Sequence, residues 1–394
     1  MFCAGAADGA LVPFFPLWAS GEANIPVAAI GLLFGCYAGG ELIAAPLLGG
    51  IADRIGRRPV LILSSLGVGA GFTALYFVHG TVATAVVLLL TGVCESVLHP
   101  TIMTVIADAT PAQSHRRWFS LASVGSGAGH IVGPLLGAVF ALWSLRAVFG
   151  VSGAMLLVGG LVMLIALPET IGLARSGVEH SDDDEEEEGL SALLPAFRDS
   201  RLAKLLLWVV LFEVATSWIE ALIPLYAHDT GSLSPSGVGA LFAYAAMLTV
   251  ALQMLVSRVV HERSALWLTV VAGGATAAAF VVLAASSHAV ALICAVSLYS
   301  LAQMLVGPLV PTAVNSLAPP TRRASYMAAS SVAVDLKDSL GPSIGTAAYA
   351  AAQSLPWMLG IPLAVIASFG LGKAVGARPE ATVSIEGRDD LVRD

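Results

Sequence analysis

Along this chain the apolar positions do not alternate with polar ones. They gather into long runs, with approximate limits 2–19, 27–49, 59–78, 82–107, 118–142, 147–167, 203–227, 236–256, 265–287, 289–316, 325–351 and 356–376. Each run is near or above the ~20 residues that an α-helix needs to cross the hydrocarbon core of a bilayer. The lack of a period of two argues against a transmembrane barrel. The pattern predicts an all-α integral membrane protein with twelve transmembrane helices. The first run, "MFCAGAADGALVPFFPLW", has no basic flank and carries Asp8 in its middle, so it reads as a span rather than a cleaved signal peptide. It starts almost at once, leaving room for a few cytosolic residues ahead of it in the native protein.

Composition agrees with this class. Apolar residues make up 57% of the 394 positions, mean hydropathy is +0.84, and only 12% of residues are charged. A soluble domain could not cover that much apolar surface. Cys3, Cys36, Cys94 and Cys294 stand singly inside runs and read as small packing residues. They suggest no disulfide framework and no metal site. The chain has no G-x₄-G-K-[ST] loop, and "GVGAGF" at 67–72 lies inside the third run with no strand before it, so no nucleotide or other cofactor is expected.

Basic residues choose a side. Of the 19 Lys and Arg, 17 fall in the even-numbered loops, in the tail or, as Lys204 and Lys373 do, at the run ends that border them; Arg146 alone lies in an odd loop, and Lys337 lies inside a run. The positive-inside rule makes the basic face cytoplasmic, with both termini inside a cell membrane. The chain also repeats itself at an offset of 208 residues. "PLWA" (16–19) falls on "PLYA" (224–227), Gly31, Leu33 and Phe34 on Gly239, Leu241 and Phe242, and "GPLLG" (133–137) on "GPSIG" (341–345). Duplication of six helices gives two pseudo-symmetric six-helix bundles, parallel across the membrane. The expected divisions are 1–167 for the first bundle, 168–201 for a linker carrying "DDDEEEE", 202–376 for the second bundle and 377–394 for a cytoplasmic tail. The acidic run reads as a solvated linker.

Charge concentrates between the second and third runs, in "GGIADRIGRRPVLI" (49–62). The turn there is short, and Gly56 permits a positive φ. The arginines hold the loop at the anionic face and are placed to pair with Asp108 at the end of the fourth run. Gly49, Asp53, Arg54, Gly56, Arg57 and Arg58 match G-x-[LI]-A-D-R-x-G-R-[RK], so the stretch resembles the loop signature of the major facilitator superfamily. The resemblance implies a latch that holds the two halves shut at the cytoplasmic side and breaks on opening inward. In the second half the matching stretch, "SRVVHERS" (257–264), has lost the pattern. A second stretch, "GAGHIVGPLLGA" (127–138), resembles that family's antiporter motif through Gly129, Gly133, Pro134 and Gly137, although the upstream glycine is Ser120 and the last is Ala138. Its small residues favour close helix approach and its proline a bend; the resemblance implies export. The helix-4 arginine of the family is missing: Leu88 stands four residues before Gly92.

The most informative residues are polar ones inside the runs: Asp8, Glu41, Glu95, His99, His130, Glu213, Glu220, Asp335, Lys337 and Asp338. A mid-span charge costs at least ~2.5–3.5 kcal/mol on insertion scales, so these residues should face a bundle interior or water. None lies in runs 3, 6, 9 or 12, which the resemblance places outermost; it places 1, 4, 7 and 10 around a cavity, flanked by 2, 5, 8 and 11. Glu95 and His99 lie one turn apart and could share a proton. Glu213 and Glu220 form a stripe on run 7 with Thr216 and Ser217, and Tyr299 and Gln303 a second on run 10. Lys337 faces away from Asp335 and Asp338 on its own helix, so pairing across the bundle is expected. Seven acids against one lysine suit a proton carrier or a cationic substrate, because a carboxyl group taken out of water favours its neutral form.

The expected function is therefore proton-coupled export of a small, amphiphilic or cationic compound by alternating access. The partners expected are that substrate, protons and the lipid bilayer; no nucleic acid is expected, and the protein is expected to be a monomer. Uptake symport of a nutrient and a non-transporting membrane sensor remain the alternatives. No nucleophile–base set or metal pair suggests an enzyme.

Overall fold

The computed structural model describes residues 1–48, 51–167, 196–319 and 322–376. Gly49, most of the acidic linker and the tail from residue 377 lie outside the described residues, as does the side chain of Asp53. The described chain is helical, with no strands among the described residues. Twelve helical segments correspond to the twelve apolar runs: Phe2–Gly21, Val27–Leu48, Arg57–Phe77, Thr81–Ala109, His115–Phe140, Leu145–Ala166, Ser200–Asp229, Pro235–Glu262, Ala265–Ala285, a broken segment Ala289–Val306 plus Leu309–Leu317, Arg323–Ala351 and Leu355–Gly376. They are called spans 1 to 12. Eleven are long and apolar enough to cross a membrane; span 11 has the length but carries Asp335, Lys337 and Asp338 in its middle.

Local sequence explains the boundaries. Span 7 begins at Ser200, earlier than the expected linker end at 201, because Asp199 accepts from the Arg201 amide at 2.8 Å and caps the helix. Ser144, Ser234 and Ser264 cap spans 6, 8 and 9 in the same way. Span 10 breaks at Gly307–Pro308, where the proline offers no amide to continue the ladder. The turn between spans 2 and 3 is not a bare loop: it holds a short helix, Ile51–Ile55, and reverses at Gly56, whose φ of 116° disfavours any side chain.

Spans 3, 6, 9 and 12 pack within their own halves, while spans 2 and 11, 5 and 8, and 1 and 7 pack across them. The crossings concentrate at the end opposite the arginine-rich loops. There the Gly31 amide donates to Thr346 Oγ1 at 3.2 Å, Gly31 lies on the backbone of Pro342, and Gly239 lies against Phe14 and Pro134. Aromatic clusters fill each half at that end: Trp18 and Phe149 meet edge-on at 5.5 Å, Tyr226 and Trp357 at 5.3 Å. Toward the basic end the halves diverge, so that a Cβ at Gly39 or Gly127 would meet nothing within 4 Å among the described residues. Arg146, the lone basic residue of the odd loops, is engaged at the closed end by Glu22, Nε to Oε2 3.2 Å, which also accepts from the Leu145 amide at 2.9 Å.

Candidate functional site

Where the halves diverge they enclose a cavity of about 400 Å³. Its carboxylates come from both halves: Asp8, Glu41 and Glu95 from spans 1, 2 and 4, Glu220 from span 7, and Asp335 and Asp338 from span 11. Leu11, Val12, Phe34 and Tyr37 supply an apolar and aromatic floor. Spans 2 and 11 thus line the cavity rather than merely flanking it. They can do so because close packing between them at the closed end brings their middle turns to the wall.

On the first-half wall, the electrostatic neighbours of Glu95 include Asp8 and Glu41. One carboxyl oxygen of Glu95, Oε2, is buried without a hydrogen-bond partner among the described residues. His99 lines the same cavity, yet no hydrogen bond joins it to Glu95 among the described residues. A second imidazole, His130 of span 5, packs against span 1 at Gly5 and Gly9, the stretch that carries Asp8. His130 Nδ1 donates to the Ser126 carbonyl at 3.0 Å; its ring packs where Gly5 of span 1 leaves room, and its backbone lies against Gly9. Tyr37 is a cavity residue that composition alone did not single out. It lies one turn before Glu41 and lines the same cavity, a spacing that could have flagged it.

The second-half wall is arranged differently. Lys337 Nζ lies 3.1 Å from Asp338 Oδ1 and 3.9 Å from Glu213 Oε2. Expected to face away from its neighbouring aspartates, Lys337 pairs both across the bundle and with Asp338, because its four-carbon stem reaches around the helix. Gln303 Nε2 donates to Glu213 Oε2 at 3.3 Å and Thr216 Oγ1 donates to the same oxygen at 3.4 Å, while Tyr299 donates to Glu220 Oε2 at 3.2 Å. Glu213 therefore stands behind the lining, and Glu220 on it. The ends of spans 7 and 11 are tied by two hydrogen bonds that the sequence reading did not anticipate, Tyr326 to Asp199 at 2.7 Å and Tyr349 to Asp229 at 2.9 Å. Burial works to raise the Asp199 carboxyl, but the Tyr326 hydroxyl, the Arg201 and Leu202 amides and the Arg201 charge outweigh it and hold Asp199 below the ordinary range.

The two motif stretches occupy distinct places. Arg57 pairs with Asp108, joining span 3 to span 4 within the first half, and Arg58 donates to the Leu164 carbonyl at 2.6 Å. Arg54 is exposed. Gly129 and Gly133 pack on the backbone of span 1 at Phe2 and Ala6, and Gly137 on the Phe14 ring, so the partner of the span-5 glycines and Pro134 is span 1. The repeat keeps the device: Gly341 and Gly345 of span 11 pack on Ser217 and Trp218 of span 7. Without a hydrophobic driving force between helices in lipid, such close backbone approach is what holds the pairs.

Comparison with known proteins places this geometry. A family model described as Major Facilitator Superfamily matches residues 1–342. The chain is similar to the class E tetracycline resistance protein of Escherichia coli, 38% identical over 154 residues, 37% of this chain and 35% of that protein. It is also similar to the multidrug resistance protein MdtH of Cronobacter sakazakii, 24% identical over 321 residues, 79% of this chain and 77% of that one. The match thus spans about a third of the tetracycline-resistance protein's length and about three quarters of MdtH's. Among solved structures, the nucleoside transporter NupG has the same fold, with a TM-score of 0.79 at 14% identity over 95% of this chain and 97% of that one. The human organic anion transporter MFSD10 aligns with a TM-score of 0.64 at 20% identity over 94% and 96% of the two chains.

Proposed function

Because the chain belongs to the major facilitator superfamily, we propose that it is a secondary active transporter that exports a small, amphiphilic, cationic compound in exchange for protons. The observation that carries this reading is the acid-lined cavity between the halves, closed at one end and open toward the arginine-rich face. Taking that face as cytoplasmic, the structure is the inward-open state of an alternating-access cycle. A cation entering from inside meets carboxylates over an apolar floor, the surface an amphiphile requires. Such carboxylates lose protons when the cavity is wet and regain them when it dries, which couples substrate to proton movement. The tetracycline and multidrug resistance relatives support movement outward.

In this reading the Arg57–Asp108 tie keeps the loop of Asp53, Arg54 and Arg58 seated on the first half, so that it meets the second half as one piece when the cytoplasmic side closes. The span-5 glycines let spans 1 and 5 move as a unit, and the equivalent pair in spans 11 and 7 does the same for the other half.

The test is transport of ethidium, an organic cation, by purified protein in liposomes with an imposed pH gradient. Export predicts ethidium moving against the proton flux, and collapse of accumulation when a proton ionophore is added. Movement in the same direction as protons would establish uptake instead, and movement indifferent to the gradient would remove proton coupling.

A further inference from the structure

The two walls of the cavity treat their acids differently. Asp8, Glu41 and Glu95 line the first-half wall with no Lys or Arg beside them in the lining. On the second-half wall Lys337 sits between Glu213 and Asp338 at 3.9 and 3.1 Å. The Lys337 and Glu213 side chains are each 15% exposed, whereas Asp338 is 51% exposed and reaches the cavity. Gln303 and Thr216 hold Glu213 from the other side.

We propose that Lys337 is the specificity-determining residue of the cavity: as a tethered counter-ion on Glu213 and Asp338, it restricts substrates to organic compounds with one positive charge. A side-chain ammonium already in place loses no translational freedom on pairing, so its effective concentration beside those acids is far above that of a dissolved cation. A compound with one cationic group is served by the facing wall. A second cationic group needs an acid of the second-half wall, and all three lining acids there feel the lysine: Asp338 is paired with it, and Glu220 and Asp335 lie within its field. This inference rests on the cationic-substrate reading above.

The matched dyes ethidium and propidium test it, since they share one ring system and propidium adds a second positive charge on a side chain. Both are titrated by fluorescence onto purified, detergent-solubilised protein. Wild type binds ethidium more tightly. Lys337→Gln raises propidium affinity at least about tenfold, the scale of a close charge pair, and moves ethidium by less than about threefold. Lys337→Arg keeps the wild-type ratio. Glu213→Gln leaves the lysine less neutralised and moves the ratio the other way, away from propidium. An unchanged ratio in a Lys337→Gln protein that elutes as wild type overturns the proposal. If that variant does not fold, an unchanged ratio in Glu213→Gln overturns it. Failure of the underlying reading shows earlier and separately: wild type then binds neither dye.

Discussion

Replacing Gly31 by Ala should open the end of the molecule that the structure shows closed. A Cβ at Gly31 would fall against the Pro342 carbonyl and the Ser343 Cα, both backbone of span 11 in the opposite half, where no flexible side chain can yield. Span 2 and span 11 must therefore separate, and the 3.2 Å hydrogen bond from the Gly31 amide to Thr346 Oγ1 weakens with them. Overpacking of this kind costs about 1–3 kcal/mol, and a net hydrogen bond about 1 kcal/mol more. Only the closed end makes these contacts, so the penalty falls on one state of the cycle. The total of about 2–4 kcal/mol corresponds to roughly a 30- to 700-fold shift in population. Spin labels at cysteines replacing Val27 and Ala352, in a background without the four native cysteines, report the separation by double electron–electron resonance. The distribution should move to longer distances in Gly31→Ala, and pH-driven transport should fall. Gly39→Ala is the control, because a Cβ there meets nothing within 4 Å among the described residues. If the two variants give the same distances and the same transport, the seal is not at the Gly31 crossing and the reasoning fails.

Three further outcomes follow from the same contacts. Asp108→Asn should lower thermal stability in detergent, because the Arg57 and Asp108 side chains are only 13% and 12% exposed and removing one partner of a buried pair costs about 3–5 kcal/mol; the double variant with Arg57→Gln should lose less than the sum of the two, and simple additivity would show that the two residues act independently. Glu95→Gln should abolish pH-driven transport while substrate-for-substrate exchange persists, and intact pH-driven transport in the variant would move coupling to another carboxylate. Tyr326→Phe should lower stability slightly at neutral pH. Asp199 is held below its unfolded value, so its contribution is present above that value and is lost as pH falls through the folded one. The gap between wild type and Tyr326→Phe in melting curves should therefore close in acid, and a gap that widens there would contradict the assignment.

What the chain determined by itself was whatever depends on neighbours in sequence. Run length and apolar content place a helix in lipid whatever surrounds it, so the twelve spans were legible, and even span 11 was found by length despite its three charges. The side bias of arginine is likewise a property of loops taken one at a time. The chemistry of Gly56 and of the caps at Ser144, Ser234 and Ser264 acts over three or four residues. Pairings were another matter. Sequence spacing offered Glu95 and His99 as partners because they are one turn apart. In a packed bundle, however, groups on adjacent helices come as close as groups one turn apart on the same helix: Asp8 and Glu41 line the same cavity as Glu95 and His99, and no hydrogen bond joins Glu95 to His99 among the described residues. Lys337 looked misdirected on a helical wheel, which counts backbone angle and ignores the reach of a four-carbon stem. Which end of the molecule is closed was also undecidable along the chain. In the alternating-access reading both states use the same sequence and the same helices, and closed-end contacts such as Gly31 with Pro342 and Gly239 with Phe14, set against the open space at Gly39, distinguish them.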